Sequence, residues 1–458
     1  MNAAGKIIDR LWEDRDAWLD GSAQRAFVAI TALLSAGLLF TAKGISDIAF
    51  GLLVIVAFWR FFVAGDGVGR MWWALVILAS VVIPALSWTF TFLLYRDWAQ
   101  PYPNLDLMAR LLIFLPLAWA LAGSSRNVLL FWGVAAGAVV LMPWTMGEGW
   151  HDWARGFSGD RVHFNLRNEQ HTAMFLGVTL LGLMSFSARF LSNAGSLFSW
   201  QAVVYLIAVV LCIAGLAVTQ TRAAWLAVLL SFPFFLYAIA TRWRGQYHGH
   251  ADAQQRGLTR VLSLGLVGAL VMVLALIAVV SDGRDIAERM RGDSVAISQL
   301  LAGNGDSMTV TSAGVRITAW KASLEWIPRS PLVGWGSGGG RIVLENTDSV
   351  PREISQNFGH LHNSYLELLI NYGLLGAMFF AGLLAWVVIN SWRAWRRGWL
   401  EGDFMLFLGA FLMFFLVINF FESFLFYSTG ALVHNLVLAG FVTHIWRQQR
   451  ATCTQVPG

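Results

Sequence analysis

The sequence predicts an all-α polytopic membrane protein, with about twelve transmembrane helices and one large non-cytoplasmic loop domain that contains short helices. Of its 458 residues, 57% are hydrophobic and only 13% are charged, whereas soluble domains carry roughly 25% charged residues. Apolar runs of about 17–25 residues recur along the chain, and this is the length that a helix needs to cross a hydrocarbon core. A surface this apolar cannot face water on all sides, which excludes a soluble fold.

The apolar runs divide the chain into spans in a definite order. The predicted spans lie near residues 26–42, 45–63, 71–94, 107–122, 127–145, 171–188, 201–219, 223–240, 259–280, 363–390, 404–424 and 428–446. The corresponding division is a cytoplasmic interfacial segment (1–25), helices one to nine (26–280), a large loop (281–361), helices ten to twelve (362–446) and a tail (447–458). Residues 6–19 place their apolar side chains mostly on one helical face, which predicts a short helix on the membrane surface.

Basic residues decide the predicted orientation. Lys and Arg gather in alternate loops, among them the N-terminal segment, the loops that hold Arg126 and Arg189, and the C-terminal tail. This alternation follows the positive-inside rule and places both termini in the cytoplasm. Membrane topology therefore accounts for the net charge of +5, and no nucleic-acid partner is expected. The two cysteines, Cys212 and Cys453, can build neither a disulfide framework nor a zinc site.

Polar residues concentrate on the opposite, outward side. Two outward loops are long, 146–170 and 281–361, and six of the nine histidines lie on this side or at its edge. In the second loop, residues 311–331 predict a helix that ends at a proline. Its expected apolar stripe consists of Val315, Ala319, Trp320, Leu324 and Ile327. The segment GWGSGGG (334–340) predicts a tight turn with close backbone packing, because neither a strand before it nor a helix after it is expected.

An arginine at a membrane boundary is the first candidate for chemistry. The segment TQTRAAW (219–225) places Arg222 between two spans with almost no loop between them. A charge near hydrocarbon costs about 2.5–3.5 kcal/mol on insertion scales, so such a residue usually has a partner or a ligand. The alternative is an arginine that only extends to the lipid headgroups.

The second candidate is the segment HLHNSYLELLINYG (360–373), where the large loop meets the tenth span. An imidazole titrates near neutral pH, so His362 is a candidate general base, with His360 and Asn363 beside it. Two alternatives stay open, namely capping of the helix by residues 362–364 and metal binding by the two histidines. The loop GDRVHFNLRNEQ (159–170), which holds Arg161, is the third candidate, and its alternative is an ordinary surface loop.

Together these residues suit a transferase that acts on a lipid diphosphate. Such an enzyme must stabilise a departing pyrophosphate with a divalent metal or with arginines, whose fork of donors fits phosphate oxygens. The outward loops contain no paired carboxylates that would hold a metal, since Asp160, Asp293 and Asp306 are isolated. The sequence therefore favours a clamp of arginines over a metal for this role, and no cofactor is expected.

Three segments around the large loop resemble the O-antigen ligases. In order they read TQTRAAW, GVRITAWKASLEWIPRSPLVGWGSGG and HNSYLELLINYGLLG, and the similarity extends over roughly residues 150–390. The resemblance implies an inverting, metal-independent glycosyltransferase of the bacterial inner membrane, with its active site on the periplasmic face and a large periplasmic loop. It also implies two lipid-borne partners: the donor is O-antigen polysaccharide on undecaprenyl diphosphate, and the acceptor is the lipid A–core of lipopolysaccharide.

The resemblance also assigns residues. Arg222 matches the arginine of the first segment, and Arg316 matches the loop arginine. His362 matches the histidine of the third segment and is implied as the catalytic base, while Arg161 is a weaker match. The three arginines are expected to hold the diphosphate. Asn363 and His360 complete the expected substrate-binding set, and His360 is a second imidazole that competes with His362 for the role of base.

Other functions remain open at this stage. An O-antigen polymerase or an O-oligosaccharyltransferase of the same superfamily uses the same donor with another acceptor. A membrane transporter is the alternative from another class, since intramembrane charges often mark transport pathways, although the two halves show no hydropathy repeat. A receptor or scaffold that binds through residues 281–361 would leave Arg222 and His362 unexplained.

Overall fold

The fold was obtained as a computed structural model, which describes residues 12–14, 18–19, 21–64, 68–192, 199–247, 291 and 311–454. Within these ranges no strand occurs, which confirms the predicted all-α class. The helices are α1 (Gly21–Gly37), α2 (Lys43–Phe58), α3 (Arg70–Leu94), α4 (Asp106–Ala109), α5 (Phe114–Ala120), α6 (Ser125–Thr145), α7 (Trp150–Phe157), α8 (Glu169–Ser185), α9 (Ser187–Ser192), α10 (Trp200–Val218), α11 (Arg222–Tyr247), α12 (Ser312–Trp326), α13 (Gly339–Glu345), α14 (Arg352–Asn357), α15 (Ser364–Arg396), α16 (Gly402–Phe421) and α17 (Ser428–Thr454). A π-helical turn extends α2, and short 3-10 turns follow α4 and α12 and precede α17.

Eight of the described helices are long and apolar enough to cross a membrane. They are α2 with its extension, α3, α6, α10, α11, α15, α16 and α17. Two further predicted spans, near 26–42 and 171–188, form α1 and α8, which have 17 residues each. The chain is thus a multi-pass membrane protein, as predicted. The predicted span 259–280 lies outside the described residues.

The run predicted as a span at 107–122 is a broken helix. A 3-10 turn separates α4 from α5, and Pro116, which has no amide hydrogen, cannot close a helical bond at this point. The amide of Phe114 donates instead to Asn435 Oδ1 at 2.7 Å, while Asn435 Nδ2 donates to the carbonyl of Arg110 at 2.9 Å. A buried side chain of α17 therefore stabilises the break.

The surface helix predicted at 6–19 is wrong for the described part of that segment. The described positions between 12 and 19 are not helical, and the Trp12 and Trp18 side chains are buried. Trp12 Nε1 donates to the carbonyl of Ala120 at 3.1 Å. The Trp12 ring finds buried neighbours and a hydrogen-bond acceptor at this end of the bundle, which a position on the membrane surface would not provide.

Helices α8 and α16 pack closely and run antiparallel. Gly177 lies against the ring of Phe414, whereas Gly182, further along α8, lies against Phe407, which is earlier in α16. A Cβ atom at position 177 would collide with the Phe414 ring, so glycine permits this approach. The start of α8 therefore lies beside the end of α16.

Helix α10 runs antiparallel to α8 on another side. Gly215 lies against Leu176 near the start of α8, while Tyr205 Oη donates to the carbonyl of Leu183 near its end. The end of α10 and the start of α11 thus join the end of the bundle that holds the start of α8 and the end of α16. We call this the histidine end, which comprises residues 159–171, 218–222, 360–364 and 421–429.

The other end of the bundle, the arginine end, comprises residues 121–126, 187–192, 393–403 and 444–452. There Arg189 forms ion pairs with both Glu401 and Asp403, and Ser125 Oγ donates to Glu401 at 3.1 Å. The side chain of Arg447 packs against Gly123. Basic residues predicted to be cytoplasmic therefore meet at one end of the bundle, opposite the histidine end.

Residues 311–361 form a helical layer on the histidine end, with a core of their own around Trp326 and Trp335. The earlier part of the predicted loop, up to residue 310, lies outside the described residues except for position 291. The Trp335 amide donates to the carbonyl of Ile370 at 2.7 Å, and a Cβ atom at Gly334 would lie 2.6 Å from that oxygen. This close approach confirms the predicted tight turn.

Helix α12 confirms the helix predicted in the loop, but its buried face differs from the predicted stripe. Leu324 is 64% exposed, whereas Trp326 is 1% exposed. The buried face turns toward α13, which directly follows the glycine-rich turn although no helix was expected there. The indole of Trp326 donates to Thr347 Oγ1 at 2.8 Å, so its polar atom is paired despite the burial.

Candidate active site

Two imidazoles and one carboxylate form a compact cluster at the histidine end. His362 Nδ1 lies 3.1 Å from Glu422 Oε2, and His360 Nε2 lies 3.4 Å from Glu422 Oε1. The two imidazole centroids are 4.1 Å apart. The Glu422 side chain is 2% exposed, while those of His360 and His362 are 29% and 13% exposed. The carboxylate therefore lies behind the histidines, which are the more accessible groups.

The end of α16 and the start of α15 hold Glu422 in place. Its amide donates to the carbonyl of Ile418 at 3.1 Å, which completes the last turn of α16. The Ser423 amide donates to Glu422 Oε1 at 2.9 Å, and Ser364 Oγ donates to the Glu422 carbonyl at 3.1 Å. These hydrogen bonds from neighbouring residues hold the carboxylate and the backbone of Glu422 in place.

Two further contacts fix the loop that carries the histidines. The Leu361 amide donates to the buried Glu367 Oε2 at 2.8 Å. Asn363 Oδ1 accepts from the amides of Tyr365 and Leu366 at 3.0 and 3.1 Å, which caps α15. Between these contacts His362 has a φ of 50°, a left-handed conformation that costs about 1–2 kcal/mol outside glycine.

The capping alternative therefore holds for Asn363, and it holds together with the contact between His362 and Glu422. The Asn363 side chain is 2% exposed and its oxygen is used by the cap. Backbone strain at a residue between two fixed contacts is typical of functional sites, where the surroundings over-determine the conformation. Capping and chemistry are thus compatible at this loop.

The electrostatics of the cluster favour a neutral His362 beside an ionised Glu422. Burial alone would raise the pKa of Glu422, but the hydrogen bonds from His360 and His362 outweigh it, so this pKa lies well below its usual range. Burial lowers the pKa of His362, and the hydrogen bond to Glu422 offsets only part of that effect. An ionised carboxylate can only accept, so the facing nitrogen, His362 Nδ1, carries the hydrogen. In the neutral ring Nε2 is then unprotonated, which is the form that a general base requires.

Arg316, the predicted loop arginine, docks on the end of α16. Its Nε donates to the carbonyl of Phe421 at 3.0 Å, and its Nη1 donates to Ser312 Oγ at 2.7 Å. Phe421 directly precedes Glu422, and the charge of Arg316 contributes to lowering the pKa of His362. The structure therefore brings Arg316 to the histidine cluster.

Tyr427, which sequence analysis did not single out, connects the loop 159–170 to the histidine cluster. Its ring centroid lies 5.7 Å from that of His360 and 5.1 Å from that of His171. The guanidinium carbon of Arg167 lies 4.2 Å from the Tyr427 centroid, a distance typical of a cation–π contact. Arg167 is therefore a second cation beside the histidines.

Arg161 and Arg222 lie next to neighbouring helix ends. Arg161 Nη2 is 3.5 Å from Glu169 Oε2, in the first turn of α8. The amide of the next residue, Val162, donates to the carbonyl of Val218 at the end of α10. Arg222 follows as the first residue of α11. The loop of Arg161 thus packs against the turn that leads to Arg222.

Arg222 lies at about the same position along the axis of the helix bundle as the histidine cluster. Ser231 Oγ of α11 donates to the carbonyl of Ala410 in α16 at 3.0 Å. From this contact, Arg222 lies nine residues back along α11 and Phe421 eleven residues ahead along α16, about 14 Å and 17 Å at the α-helical rise. Because both distances lead to the histidine end, Arg222 and Arg316 face the same side of the bundle.

Glu422 is the residue that sequence analysis missed. It lies in the run INFFESFLF (418–426), which reads as the end of a hydrophobic span. A lone carboxylate in such a run is costly and usually marks a function, and that signal was present in the sequence. Its pairing with histidines 60 and 62 residues earlier in the chain was not visible, because apolar periodicity does not say which helix ends meet.

The metal-binding alternative for the two histidines also gains a third ligand. Within the part of the chain that the structure describes, His360, His362 and Glu422 form a group whose donor atoms lie within 4.8 Å of one another. Two imidazoles and a carboxylate suit Zn²⁺ better than Mg²⁺, which prefers oxygen ligands. The absence of a metal from the reaction stays a prediction.

A comparison of the sequence with models of known protein families finds a match. Residues 207–381 match a family model described as O-antigen ligase. This range lies wholly inside the region of the predicted resemblance, and it includes Arg222, Arg316 and both histidines of the cluster. Arg161 and Glu422 lie outside it. A search of curated proteins finds no match.

Proposed function

The chain belongs to the O-antigen ligase family, and on this premise we propose that it is an O-antigen ligase. Members of this family are membrane glycosyltransferase-type enzymes, either ligases or polymerases. The proposed reaction moves O-antigen polysaccharide from undecaprenyl diphosphate onto lipid A–core, with inversion at the anomeric carbon. The proposed location is the bacterial inner membrane, with both termini in the cytoplasm and the histidine end on the periplasmic face.

The observation that carries this proposal is the contact between His362 and Glu422, with Arg316 docked on the adjoining residue. Transfer from a lipid diphosphate requires a base for the acceptor and a cation for the leaving group. Both groups lie at the end of α16, where Glu422 contacts His362 and the Phe421 carbonyl accepts from Arg316. A transporter or a scaffold has no evident use for a base held in this way, and the family match favours an enzyme over both.

His362 acts as the general base in the proposed step. Its Nε2 takes the proton of the acceptor hydroxyl, whose oxygen forms a bond to the anomeric carbon of the donor. The bond between that carbon and the diphosphate oxygen breaks, and its electron pair leaves with undecaprenyl diphosphate. A well-placed base contributes about 10²–10⁴-fold. Glu422 is a positioning residue, because it holds the imidazole and stabilises its protonated form.

The arginines supply the charge that the leaving diphosphate needs. Arg316 and Arg222, with Arg161 from the neighbouring loop, present fork-shaped donors that match phosphate oxygens. Arg222 begins α11, and the N-terminus of a helix also favours a phosphate. His360, the more exposed imidazole, binds the acceptor beside His362 in this proposal. The prenyl tail of the donor remains in the bilayer between helices.

Replacing the base tests the proposal in cells. In a strain that lacks its own ligase, the His362→Ala variant should yield lipopolysaccharide without O-antigen ladders on a gel. The His151→Ala variant is the matched control. His151 is an exposed histidine that lies outside the cluster and pairs with Glu148. Normal ladders from a stably expressed His362→Ala variant would refute the role of His362.

Purified components distinguish a ligase from its closest alternatives. The full-length protein, the undecaprenyl diphosphate donor and lipid A–core should yield polysaccharide on lipid A–core, with EDTA present throughout. Longer carrier-linked chains would instead identify an O-antigen polymerase, and glycan on another acceptor would indicate an O-oligosaccharyltransferase. Activity that EDTA abolishes and Mg²⁺ restores would contradict the clamp of arginines.

A further inference from the structure

The cluster around the base has the donor set of a transition-metal site. Two imidazole nitrogens and one carboxylate lie within 4.8 Å of one another, and catalytic zinc sites often combine two histidines and a glutamate with an open fourth position. In a tetrahedral site with bonds of about 2.0–2.1 Å, neighbouring donor atoms are about 3.3 Å apart. Each histidine lies near this spacing from one oxygen of Glu422, at 3.1 and 3.4 Å, and all the donor atoms lie within 4.8 Å of one another.

We propose that Zn²⁺ binds to His360, His362 and Glu422 and thereby inhibits the transferase. The ion replaces the hydrogens that the two imidazoles direct at the carboxylate. His360 is 29% exposed, so the site is open on the side from which an ion arrives. The binding stands on the geometry alone, whereas the inhibition rests on the proposed function.

The inhibition follows from the tautomer of His362. Neutral imidazole carries one hydrogen, and a metal on Nδ1 forces that hydrogen onto Nε2. Nε2 can then no longer accept the proton of the acceptor hydroxyl. The same ion also occupies Glu422, which otherwise stabilises the protonated ring. One bound ion therefore removes the base and its positioning partner together.

The donor set also predicts which ions act. Imidazole nitrogens suit Zn²⁺, Ni²⁺ and Cu²⁺, whereas Mg²⁺ and Ca²⁺ prefer sites made of oxygen. Zn²⁺ should therefore inhibit where Mg²⁺ has no effect. This selectivity separates the proposal from a general effect of divalent ions on anionic lipid substrates, which Mg²⁺ would reproduce.

Direct binding is the first test. Full-length protein, freed of its affinity tag and stripped with EDTA, is titrated with Zn²⁺ by calorimetry and by equilibrium dialysis with elemental analysis. We expect one ion per chain. His360→Ala and Glu422→Gln should each lower the affinity at least about tenfold, since even outer-shell partners of a metal contribute that much. His151→Ala should bind like the wild type, because the pair of His151 and Glu148 offers only two exposed ligands.

The outcomes of this titration are decisive for the site. A wild-type protein that binds no Zn²⁺, or two monodisperse variants that bind it as tightly as the wild type, would overturn the proposal. Two different variants are used because a loss of binding in one of them would also follow from misfolding. Co²⁺ in place of Zn²⁺ adds a visible absorption spectrum that reports the coordination geometry.

Inhibition is the second test. Zn²⁺ should lower the transfer rate, EDTA should restore it, and the Zn²⁺ concentration for half inhibition should rise at least about tenfold in His360→Ala relative to its own metal-free rate. Stimulation by Zn²⁺, or equal sensitivity of the variant, would overturn the inhibitory role. A preparation that transfers no glycan would refute the proposed function instead, while the titration would still decide on the site.

Discussion

The two ends of the bundle both collect charged residues, but they pair them differently. At the arginine end, Arg189 is bound between two carboxylates, Glu401 and Asp403. At the histidine end, Glu422 is bound between two imidazoles. Guanidinium and carboxylate groups keep their charges over the working range of pH, whereas an imidazole changes its charge near neutrality. The first arrangement can hold helices together, and the second can also move a proton.

The arginines of the two ends differ in the same way. Arg316 donates to a backbone carbonyl, and Arg167 lies over the ring of Tyr427. A backbone carbonyl and an aromatic ring orient a guanidinium without themselves cancelling its charge. Two carboxylates on Arg189 cancel most of its charge. Position at a membrane boundary alone therefore does not make an arginine a ligand, and the chemistry of its partners decides.

The largest difference that we expect between the two ends of the bundle is the difference between replacing Arg316 and replacing Arg189. Arg316→Ala should lower the transfer rate about 10²–10³-fold, the usual result of removing one donor that stabilises developing charge. Arg316→Lys should fall between this variant and the wild type, because lysine keeps the charge but loses the fork. Initial rates with purified donor and acceptor measure the effect. Equal rates for Arg316→Ala and Arg189→Ala, each per folded protein, would remove the distinction between the two ends.

Glu422 should show a smaller effect with a diagnostic signature. Glu422→Gln should lower kcat about 10–100-fold, as the loss of a partner that orients a histidine does elsewhere. Because the hydrogen bond and charge of Glu422 raise the pKa of His362, their removal should also move the acid limb of the rate profile to lower pH. A purely structural role would lower the amount of folded protein and leave that limb in place.

The dependence of the wild-type rate on pH tests whether the histidine end supplies the base. Burial lowers the pKa of His362 below its ordinary value of 6.5, and the base acts only when it is neutral. Activity is therefore present above the folded pKa and is lost as the pH falls through it, by about tenfold per unit below the midpoint. Rates measured with EDTA present should show this limb below pH 6.5. A limb above that value would mean that another group is the base.

The helical class could be predicted because a bilayer leaves few solutions: every backbone group must be paired inside the segment. Run length and composition then locate most spans. The break at 107–122 escaped prediction because Asn435, which stabilises it, lies more than 300 positions later in the chain. The packing of Trp12 escaped for the same reason, since its acceptor is the carbonyl of Ala120. Long-range partners of this kind leave no periodic signal.

The residues of the candidate site also differ in whether a local sequence pattern marks them. Arg222, Arg316 and His362 could be singled out as candidates because each lies in a segment with recognisable neighbours. Glu422 lies in a hydrophobic run, and only the cost of a charge in such a run distinguishes it. Its two histidine partners are brought to it by the antiparallel packing of helices. Single-sequence reasoning therefore singles out residues with local signatures and misses Glu422, which the fold places beside His360 and His362.

The smallest expected effect lies at the arginine end and concerns stability. Arg189→Ala should lower the free energy of unfolding by about 1 kcal/mol, the upper range for exposed ion pairs, because Arg189 and Glu401 are 34% and 48% exposed and only Asp403 is mostly covered, at 12%. Thermal unfolding in detergent measures the loss, with Asp403→Asn as the matched variant from the other partner. The transfer rate per folded protein should stay at the wild-type value in both variants. A rate that falls without a change in unfolding temperature would place the arginine end in the reaction, and the contrast between the two ends would then fail.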